Sequence, residues 1–296
     1  MTAASEITRV EPHEFDWSRA EGVAADVRRV VSAATTEDRS APLDEAAVLA
    51  LRNHGLAGSQ LWTAGSDGFA WLHDGAVDLV VSPSARGQGV GGALAAAAVS
   101  GEESLTAWSH GNHPAAARLA ARFDFDRVRD LWVMRRPLTG LPRLSEGPDG
   151  IEVRPFRVGT DEAAFLAVNA EAFAHHPEQG AMTRADLDER MAEPWFDPAG
   201  FFVAERSGEL LGFHWTKVHD ERPPFGEVYV VGVSPRAQGG GLGKRLTLTG
   251  LHHLARLGLE EVVLYVEADN HPAIAIYTRL GFSHAVEDTH VQYARR

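Results

Sequence analysis

The second half of the chain alternates apolar and polar positions in a way that predicts both strands and helices. Five short β-branched or aromatic runs are typical of strands, at 151–156, 201–205, 210–218, 227–233 and 261–267. Residues 244–257 carry leucines at a spacing of about three, which predicts an amphipathic helix. Another helix is expected from Pro272 to about Leu280, because proline is tolerated in a first turn and Gly281 stops the pattern.

The first half of the chain repeats the same motifs. Residues 82–91, Ser-Pro-Ser-Ala-Arg-Gly-Gln-Gly-Val-Gly, match residues 234–243, Ser-Pro-Arg-Ala-Gln-Gly-Gly-Gly-Leu-Gly. The string Asn-His-Pro-Ala occurs at 112–115 and again at 270–273. Such a repeat predicts two copies of one fold, an α/β (α+β) arrangement of helices around a mixed sheet.

A proline- and glycine-rich segment separates the two copies. Residues 137–150 contain three prolines and three glycines, a composition that disfavours any long regular element. We therefore predict an N-terminal domain at 1–140, a linker at 141–150 and a C-terminal domain at 151–296.

Composition narrows the classes of function. The 296 residues are 44% hydrophobic and include 28 basic and 41 acidic side chains, for a formal net charge of −13. That balance disfavours nucleic acid and anionic membranes as partners. The absence of cysteine excludes disulfides and thiolate catalysis, and permits a reducing cytoplasm. We find neither a secretory signal nor an apolar run of the roughly 18 residues that a membrane-spanning helix needs.

Each glycine-rich turn follows a strand and opens a helix, so its backbone N–H groups form a cradle suited to a pyrophosphate. The simpler alternative is a flexible turn that happens to be rich in glycine. A dinucleotide loop is disfavoured although Gly87-x-Gly89-x-x-Gly92 fits its pattern, because Asn112, not an acidic residue, lies about 20 positions on. A Walker loop fails because the spacing before Lys244 is wrong and arginine follows it.

The turns resemble the acetyl-coenzyme A loop of the GNAT acyltransferase superfamily, whose pattern is Gln/Arg-x-x-Gly-x-Gly/Ala. A second GNAT motif, Asn-x-x-Ala-x-x-x-Tyr-x-x-x-Gly-Phe, is matched by Asn270, Ala273, Tyr277, Gly281 and Phe282. The resemblance implies two tandem GNAT domains and acetyl-coenzyme A as cosubstrate. The residues implied to bind it are Val231, Gly232, Val233, Gln238, Gly239, Gly240, Gly241, Leu242, Gly243, Lys244, Asn270, His271, Pro272, Ala273, Ile274 and Ala275, and in the first half Leu79, Val80, Val81, Arg86, Gly87, Gln88, Gly89, Val90, Gly91 and Gly92.

Acetyl transfer from a thioester to an amine needs a base, a donor to the oxyanion and an acid for the leaving thiolate. The GNAT resemblance implies that backbone N–H near Val231–Val233 faces the oxyanion and that Tyr277 is the acid. Strand alternation puts Glu227, Tyr229 and Val231 on one face, which makes Glu227 the candidate base, acting either directly or through a water molecule. The alternatives are a solvated carboxylate at a strand start and a tyrosine with no catalytic role.

The first half lacks both proton-handling groups. Alignment of the repeats puts Gly75 where Glu227 stands and Leu119 where Tyr277 stands. We expect an N-terminal domain able to hold acetyl-coenzyme A but not to turn it over.

Longer strings resemble the mycothiol synthase family of tandem GNAT proteins, namely 176–180, 214–219, 226–233 and 264–270. Members of that family acetylate the cysteinyl amine of cysteinyl-glucosaminyl-inositol, the last step of mycothiol biosynthesis. The positions implied to contact this acceptor are Glu45, Glu178, Lys217, Glu227 and Tyr265. Each has a simpler alternative: Lys217 as a solvated charge, Glu45 as an acidic residue at a helix start, and Tyr265 as a core residue that alternates inward from its strand.

No metal is expected, because the 14 histidines show no HExxH motif or clustered ligand spacing. The protein is expected to be a cytoplasmic monomer that acts on a small-molecule substrate.

 A GNAT enzyme for another small amine, such as an aminoglycoside or polyamine, and a non-catalytic acyl-coenzyme A sensor remain the competing interpretations.

Overall fold

The computed structural model describes residues 6–144, 150–174, 179–220 and 223–296, and these fall into two compact units. The first unit holds the described residues up to Trp132 together with Glu267–Asp269 and Ala285–Arg296. The second unit holds Val133–Val266 and Asn270–His284, apart from the residues outside the described ranges.

The first unit is a mixed sheet with helices on both faces. Its elements are β1 (Thr8–Val10), α1 (Val23–Asp38), α2 (Glu45–His54), β2 (Gln60–Thr63), β3 (Gly68–His73), β4 (Ala76–Val81), α3 (Val90–Ala98), β5 (Leu105–Ser109) and α4 (Pro114–Arg122). Strands β1 to β4 are successive antiparallel neighbours, and β5 is parallel to β4. The core residues of α1 and α2 pack with Phe69 and Trp71, whereas those of α3 pack with Ala70 and Leu72 on the other face.

The remaining elements follow the same plan. They are β6 (Asp126–Pro137), β7 (Glu152–Pro155), α5 (Glu162–Ala172), α6 (Arg184–Met191), β8 (Phe201–Arg206), β9 (Glu209–His219), β10 (Phe225–Val233), α7 (Leu242–Arg256), β11 (Glu261–Glu267), α8 (His271–Arg279) and β12 (Ser283–Arg295). Strands β7 to β10 are antiparallel and β11 is parallel to β10. The five strands and two helices predicted in this half are confirmed, as is the mixed α/β fold class.

The division into units differs from the predicted linker at 141–150 in two respects. Strand β6 begins in the first unit and ends in the second, so the division falls within a strand at Trp132. The last strand, β12, pairs antiparallel with β5 from Val291 with Ser109 to Arg295 with Leu105. The C-terminal residues therefore complete the sheet of the first unit, an exchange that composition and turn signals do not reveal.

In the second unit, His214 is buried between β9 and α7. Its Nδ1 lies 2.8 Å from the carbonyl oxygen of Leu246 on α7, so Nδ1 carries the proton and donates a hydrogen bond to that oxygen. No partner of Nε2 is present among the described residues. Burial is the main cause that lowers the pKa of His214 to about 4. The imidazole is therefore neutral at physiological pH, which makes it a structural group of the core.

We expect His214 to make the protein sensitive to mild acid. In the unfolded chain this histidine binds a proton below pH ~6.5, whereas the folded protein resists protonation until about pH 4. The folded state is therefore penalised as the pH falls through this window, by roughly 3 kcal/mol in total. Urea titrations at several pH values should show a steeper acid loss of stability in the wild type than in His214→Phe. Parallel pH dependences in the two proteins would contradict this.

Candidate active site

Strands β10 and β11 run in parallel and then diverge. They pair from Gly226 with Val262 to Val228 with Leu264, and β10 continues to Val233 beyond the last of these pairs. The edge of β10 that faces β11 is thereby left available to a ligand over its last residues, which include Val231–Val233. Backbone N–H groups on such an edge are fixed in position, as a donor to a developing oxyanion must be.

A bulge in β10 decides which side chains face the same way. The register between β9 and β10 shifts around Tyr229, so that Glu227 lies opposite Lys217 while Val231 lies opposite His214. Lys217 and His214 are three apart on β9 and therefore point to opposite faces of the sheet. The prediction that Glu227 and Val231 share a face is wrong, because simple alternation does not account for the extra residue.

Side-chain packing agrees with this assignment. The ring of Tyr229 lies 5.2 Å from that of Trp215, on the face that carries Glu227. Val231 instead packs with Leu242 and Leu246 of α7, on the other face. The carboxylate of Glu227 and the side chain of Val231 are therefore separated by the sheet, and only the backbone of β10 is common to both.

Glu227 is buried and makes a short hydrogen bond. Its Oε2 lies 2.6 Å from Nε2 of His219, and Glu227 is only 7% exposed. The imidazole of His219 stacks on Phe225, with ring centroids 4.4 Å apart and planes 8° from parallel. The alternative of a solvated carboxylate at a strand start is therefore wrong for Glu227. His219 is a partner that the sequence did not indicate as part of the site.

Lys217 lies among aromatic rings. Its Nζ is 4.6 Å from the ring centroid of Trp195 and 5.4 Å from that of Tyr229. The hydroxyl of Tyr229 accepts a hydrogen bond of 3.1 Å from Nε of Arg190 on α6. Cation–π contacts of this kind attract the ammonium group to the ring faces. Lys217 is thus half-buried and held in place, which argues against the alternative of a randomly solvated charge.

Tyr277 lies on α8, two turns after Asn270. Asn270 caps this helix by accepting a 3.2 Å hydrogen bond at Oδ1 from the N–H of Ala273. The Tyr277 ring meets Phe282 edge-on, with centroids 5.9 Å apart. Burial raises the pKa of Tyr277 to about 12. The phenol therefore keeps its proton at neutral pH and can donate a hydrogen bond to a thiolate.

The glycine-rich turn of the second unit opens α7. Gly239 and Gly241 have φ of +85° and +79°, a region in which side chains are disfavoured. Gly241 is the N-cap without a side-chain cap, and the first helical hydrogen bond runs from the N–H of Arg245 to its carbonyl oxygen. The N–H groups of residues 242–244 precede that bond and are free of the helix ladder. This is a binding position for an anion.

The first unit has a cavity of about 390 Å³ at the equivalent turn. Of the predicted cofactor residues in this half, the following line it: Leu79, Val80, Val81, Arg86, Gly87, Gly89, Gly91 and Gly92. Gln88 and Val90 are not among the lining residues, and Val90 packs in the core. Leu119, the residue aligned with Tyr277, also lines the cavity. Strand β4 pairs with β5 at Ala76 with Thr106, so the cavity lies where these strands part.

Two features of this cavity were not predicted. Arg86 makes a bidentate ion pair with Asp38 of α1, with both N–O distances at 2.7 Å. His110 also lines the cavity, and its Nδ1 lies 3.0 Å from Nδ1 of His290 on β12. Burial lowers the pKa of His110. These partners are far apart in sequence, and no local pattern indicates them.

The remaining predicted site residues differ in exposure and in the element that carries them. Tyr265 is 43% exposed on β11, so the alternative that it is a core residue is wrong. Glu45 is the first residue of α2 in the first unit, where an acidic side chain also favours the helix N-terminus. Glu178 lies outside the described residues. The side chain of Leu242 is buried in the core, so its backbone N–H is the group available to a ligand.

In the part of the chain that the structure describes, no group of three or more histidine, aspartate or glutamate side chains is arranged to hold a metal ion. His252 contacts the carbonyl oxygen of Pro142, whereas His253 packs on Phe202. Among the described helices, none is long and apolar enough to cross a membrane.

Comparison with known proteins identifies the relatives of this chain. The model of the acetyltransferase (GNAT) family matches residues 169–282. A mycothiol acetyltransferase of Nocardioides is 53% identical over 289 residues, covering 92% of this chain and 97% of the relative. A mycothiol acetyltransferase of Catenulispora acidiphila is 48% identical, with 92% and 96% covered.

Solved structures show the same fold. A tandem GNAT protein from the clavulanic acid biosynthesis pathway has a TM-score of 0.72 at 22% identity, with 98% of each chain covered. A GCN5-related N-acetyltransferase from Sphaerobacter thermophilus has a TM-score of 0.67 at 23% identity, with 98% of this chain and 95% of that chain covered. At these identities the likeness concerns the fold alone.

Proposed function

This chain belongs to the mycothiol acetyltransferase family of GNAT proteins, and on that premise we propose that it acetylates the cysteinyl amine of cysteinyl-glucosaminyl-inositol. Acetyl-coenzyme A is the acetyl donor, and the reaction is the last step of mycothiol biosynthesis. The protein acts as a monomer in the cytoplasm on a small-molecule acceptor, without nucleic acid or membrane. The absence of cysteine is consistent with a reducing compartment.

The observation that carries the proposal is the position of Glu227 beside Lys217. The buried Glu227 lies on β10 one residue before Val228, which pairs with Leu264 of β11, and it lies opposite Lys217 of β9. A carboxylate and an ammonium group side by side suit an acceptor that presents an amine and several hydroxyl groups. A polycationic acceptor would instead favour a site lined by carboxylates alone.

Each residue then has one task. Glu227 takes the proton of the acceptor amine, and the backbone N–H groups of Val231–Val233 face the carbonyl oxygen on which negative charge develops. Tyr277 donates its proton toward the departing sulfur. When bound, acetyl-coenzyme A supplies the activated acetyl thioester. Lys217, Tyr265 and Glu178 are proposed to contact the acceptor, and the proposed role of Glu45 still rests on the family resemblance.

The cosubstrate is proposed to bind along the second glycine-rich turn. Residues 238–244 offer the free N–H groups at the start of α7 to a pyrophosphate, and residues 270–275 begin the neighbouring helix α8. The cavity of the first unit is proposed to hold a second acetyl-coenzyme A without reaction. Leu119 lines this cavity, and alignment of the repeats puts Leu119 at the position of the acid and Gly75 at that of the base; neither can move a proton.

The test measures thiol release from acetyl-coenzyme A with purified protein and four acceptors: cysteinyl-glucosaminyl-inositol, glucosaminyl-inositol, spermidine and an aminoglycoside. We expect turnover with the cysteinyl compound alone. In Tyr277→Phe we expect kcat to fall about 10- to 100-fold, because the variant lacks the acidic proton. Turnover confined to another amine would overturn the acceptor. Cosubstrate binding without turnover on any acceptor would indicate a sensor.

A further inference from the structure

The hydrogen bond between His219 and Glu227 joins the end of β9 to the start of β10, beside the loop that connects these two strands. Phe225 and His219 are a cross-strand pair at the start of β10, and Glu227 lies two residues further along. The 2.6 Å distance from Nε2 to Oε2 is at the short end for a nitrogen donor and a carboxylate. The side chain of His219 is 19% exposed and that of Glu227 is 9% exposed. This contact is therefore largely shielded from water.

The hydrogen bond from His219 lies where the pairing of β10 becomes irregular. The pairing of β10 with β11 ends one residue after Glu227, at Val228, and the bulge around Tyr229 interrupts the register with β9. Glu227 itself is paired on both sides, with Val263 of β11 and Lys217 of β9, so its backbone is fixed while its carboxylate depends on side-chain contacts. The imidazole contacts Oε2 of Glu227, and Oε1 is the oxygen that we propose accepts a proton from the acceptor amine.

His219 is itself restrained. Its ring lies flat on Phe225, which fixes the plane of the imidazole and the direction of its Nε2–H bond. Because a carboxylate only accepts hydrogen bonds, Nε2 of His219 carries a proton and donates it in a hydrogen bond to Oε2. This holds for the protonated imidazole and for the neutral tautomer with its proton on Nε2. Phe225, His219 and Glu227 thus form a chain of contacts in which each member orients the next.

We infer that His219 is a positioning residue for acetyl transfer, which holds the Glu227 carboxylate in the one rotamer that accepts the proton of the acceptor amine. The inference rests on the proposed function, since it requires Glu227 to be the base. His219 takes no proton from the substrate in this scheme. Its removal should therefore slow the reaction without weakening the binding of either substrate.

The experiment compares three variants by steady-state kinetics with cysteinyl-glucosaminyl-inositol and acetyl-coenzyme A. In His219→Phe we expect kcat to fall about 10- to 100-fold with both KM values within about twofold, because misplacement of a catalytic group affects chemistry rather than binding. His219→Gln should recover most of the activity, because its amide N–H can reach the position of Nε2. His219→Asn should not, because its amide is too short. His252→Gln, on the surface of α7, is the matched control.

A double-mutant cycle separates positioning from a general structural role. In the Glu227→Gln background, His219→Phe should change kcat by less than about twofold, because the group that His219 orients is already absent. An equal loss in both backgrounds would overturn the inference, as would a rise in KM with kcat unchanged. Full activity of His219→Phe and His219→Asn beside an inactive Glu227→Gln would overturn this inference alone. Full activity of Glu227→Gln would overturn the assignment of the base, and this inference with it.

Discussion

Replacement of Glu227 by glutamine is expected to lower kcat about 10²- to 10⁴-fold while both KM values change by less than about threefold. Glutamine has the shape of glutamate and keeps an oxygen that can accept the hydrogen bond from His219, so the fold and the site geometry are preserved. It cannot take a proton from an amine. The lost activity therefore measures the proton transfer itself and not the packing of a buried side chain.

The measurement is thiol release from acetyl-coenzyme A under saturating acceptor, with circular dichroism to show that the variant is folded. Glu261→Gln is the control, because Glu261 is an exposed carboxylate at the start of β11, paired with Arg135. We expect that variant to keep wild-type turnover. If Glu227→Gln retained more than a tenth of wild-type kcat, another group would have to be the base.

Replacement of Gly250 by alanine is expected to destabilise the protein by about 2 kcal/mol or more, although alanine favours helices by roughly 1 kcal/mol over glycine. Gly250 lies in α7 directly against the ring of His214, and an added Cβ would overlap Cε1 and Nδ1 of that ring. It would also lie 2.8 Å from Cγ2 of Thr216. The ring of His214 has little room to move aside, because it is fully buried and hydrogen-bonded to the carbonyl oxygen of Leu246.

Denaturant unfolding of the full chain measures this effect. Gly243→Ala in the same helix is the control, since its Cβ would meet Val233 at an ordinary 3.6 Å. That change should be neutral or slightly stabilising. In a His214→Ala background the Gly250→Ala change should be milder, because the overlapping ring is gone. Equal stability of Gly250→Ala and the wild type would show that the helix can shift away from β9.

Local pattern was sufficient for the five strands and two helices predicted in the second half of the chain. Strand β11 spans Glu261–Glu267, the same residues as the predicted run, because Val262, Val263, Leu264 and Val266 form a mostly buried, β-branched and apolar run. The repeat also located both glycine-rich turns. Gly89 and Gly241 begin helices α3 and α7 with positive φ, a conformation that glycine adopts readily. In these cases the residues of one short segment are enough to determine its backbone conformation.

The parts of the site that depend on register could not be predicted in the same way. Strand alternation assigned Val231 to the wrong face, because a single bulged residue reverses every later position. His219 lies eight residues from Glu227, and only the alignment of β9 with β10 brings them together. Tyr265 is exposed while its neighbours Leu264 and Val266 are buried. Whether a side chain of β11 is buried therefore depends on what packs against each face of the strand, which the sequence of the strand does not show.

The strand exchange described for β12 bears on the order in which this protein can fold during synthesis. The edge of β5 receives its partner only when residues 291–295 have left the ribosome, and Val291 and Tyr293 then fill the core beside Ala120. Until that time the nascent first unit exposes an open strand edge, a feature prone to wrong pairing. We expect an N-terminal fragment that ends at the predicted linker to lack this partner of β5, although the two halves of the chain are repeats in sequence.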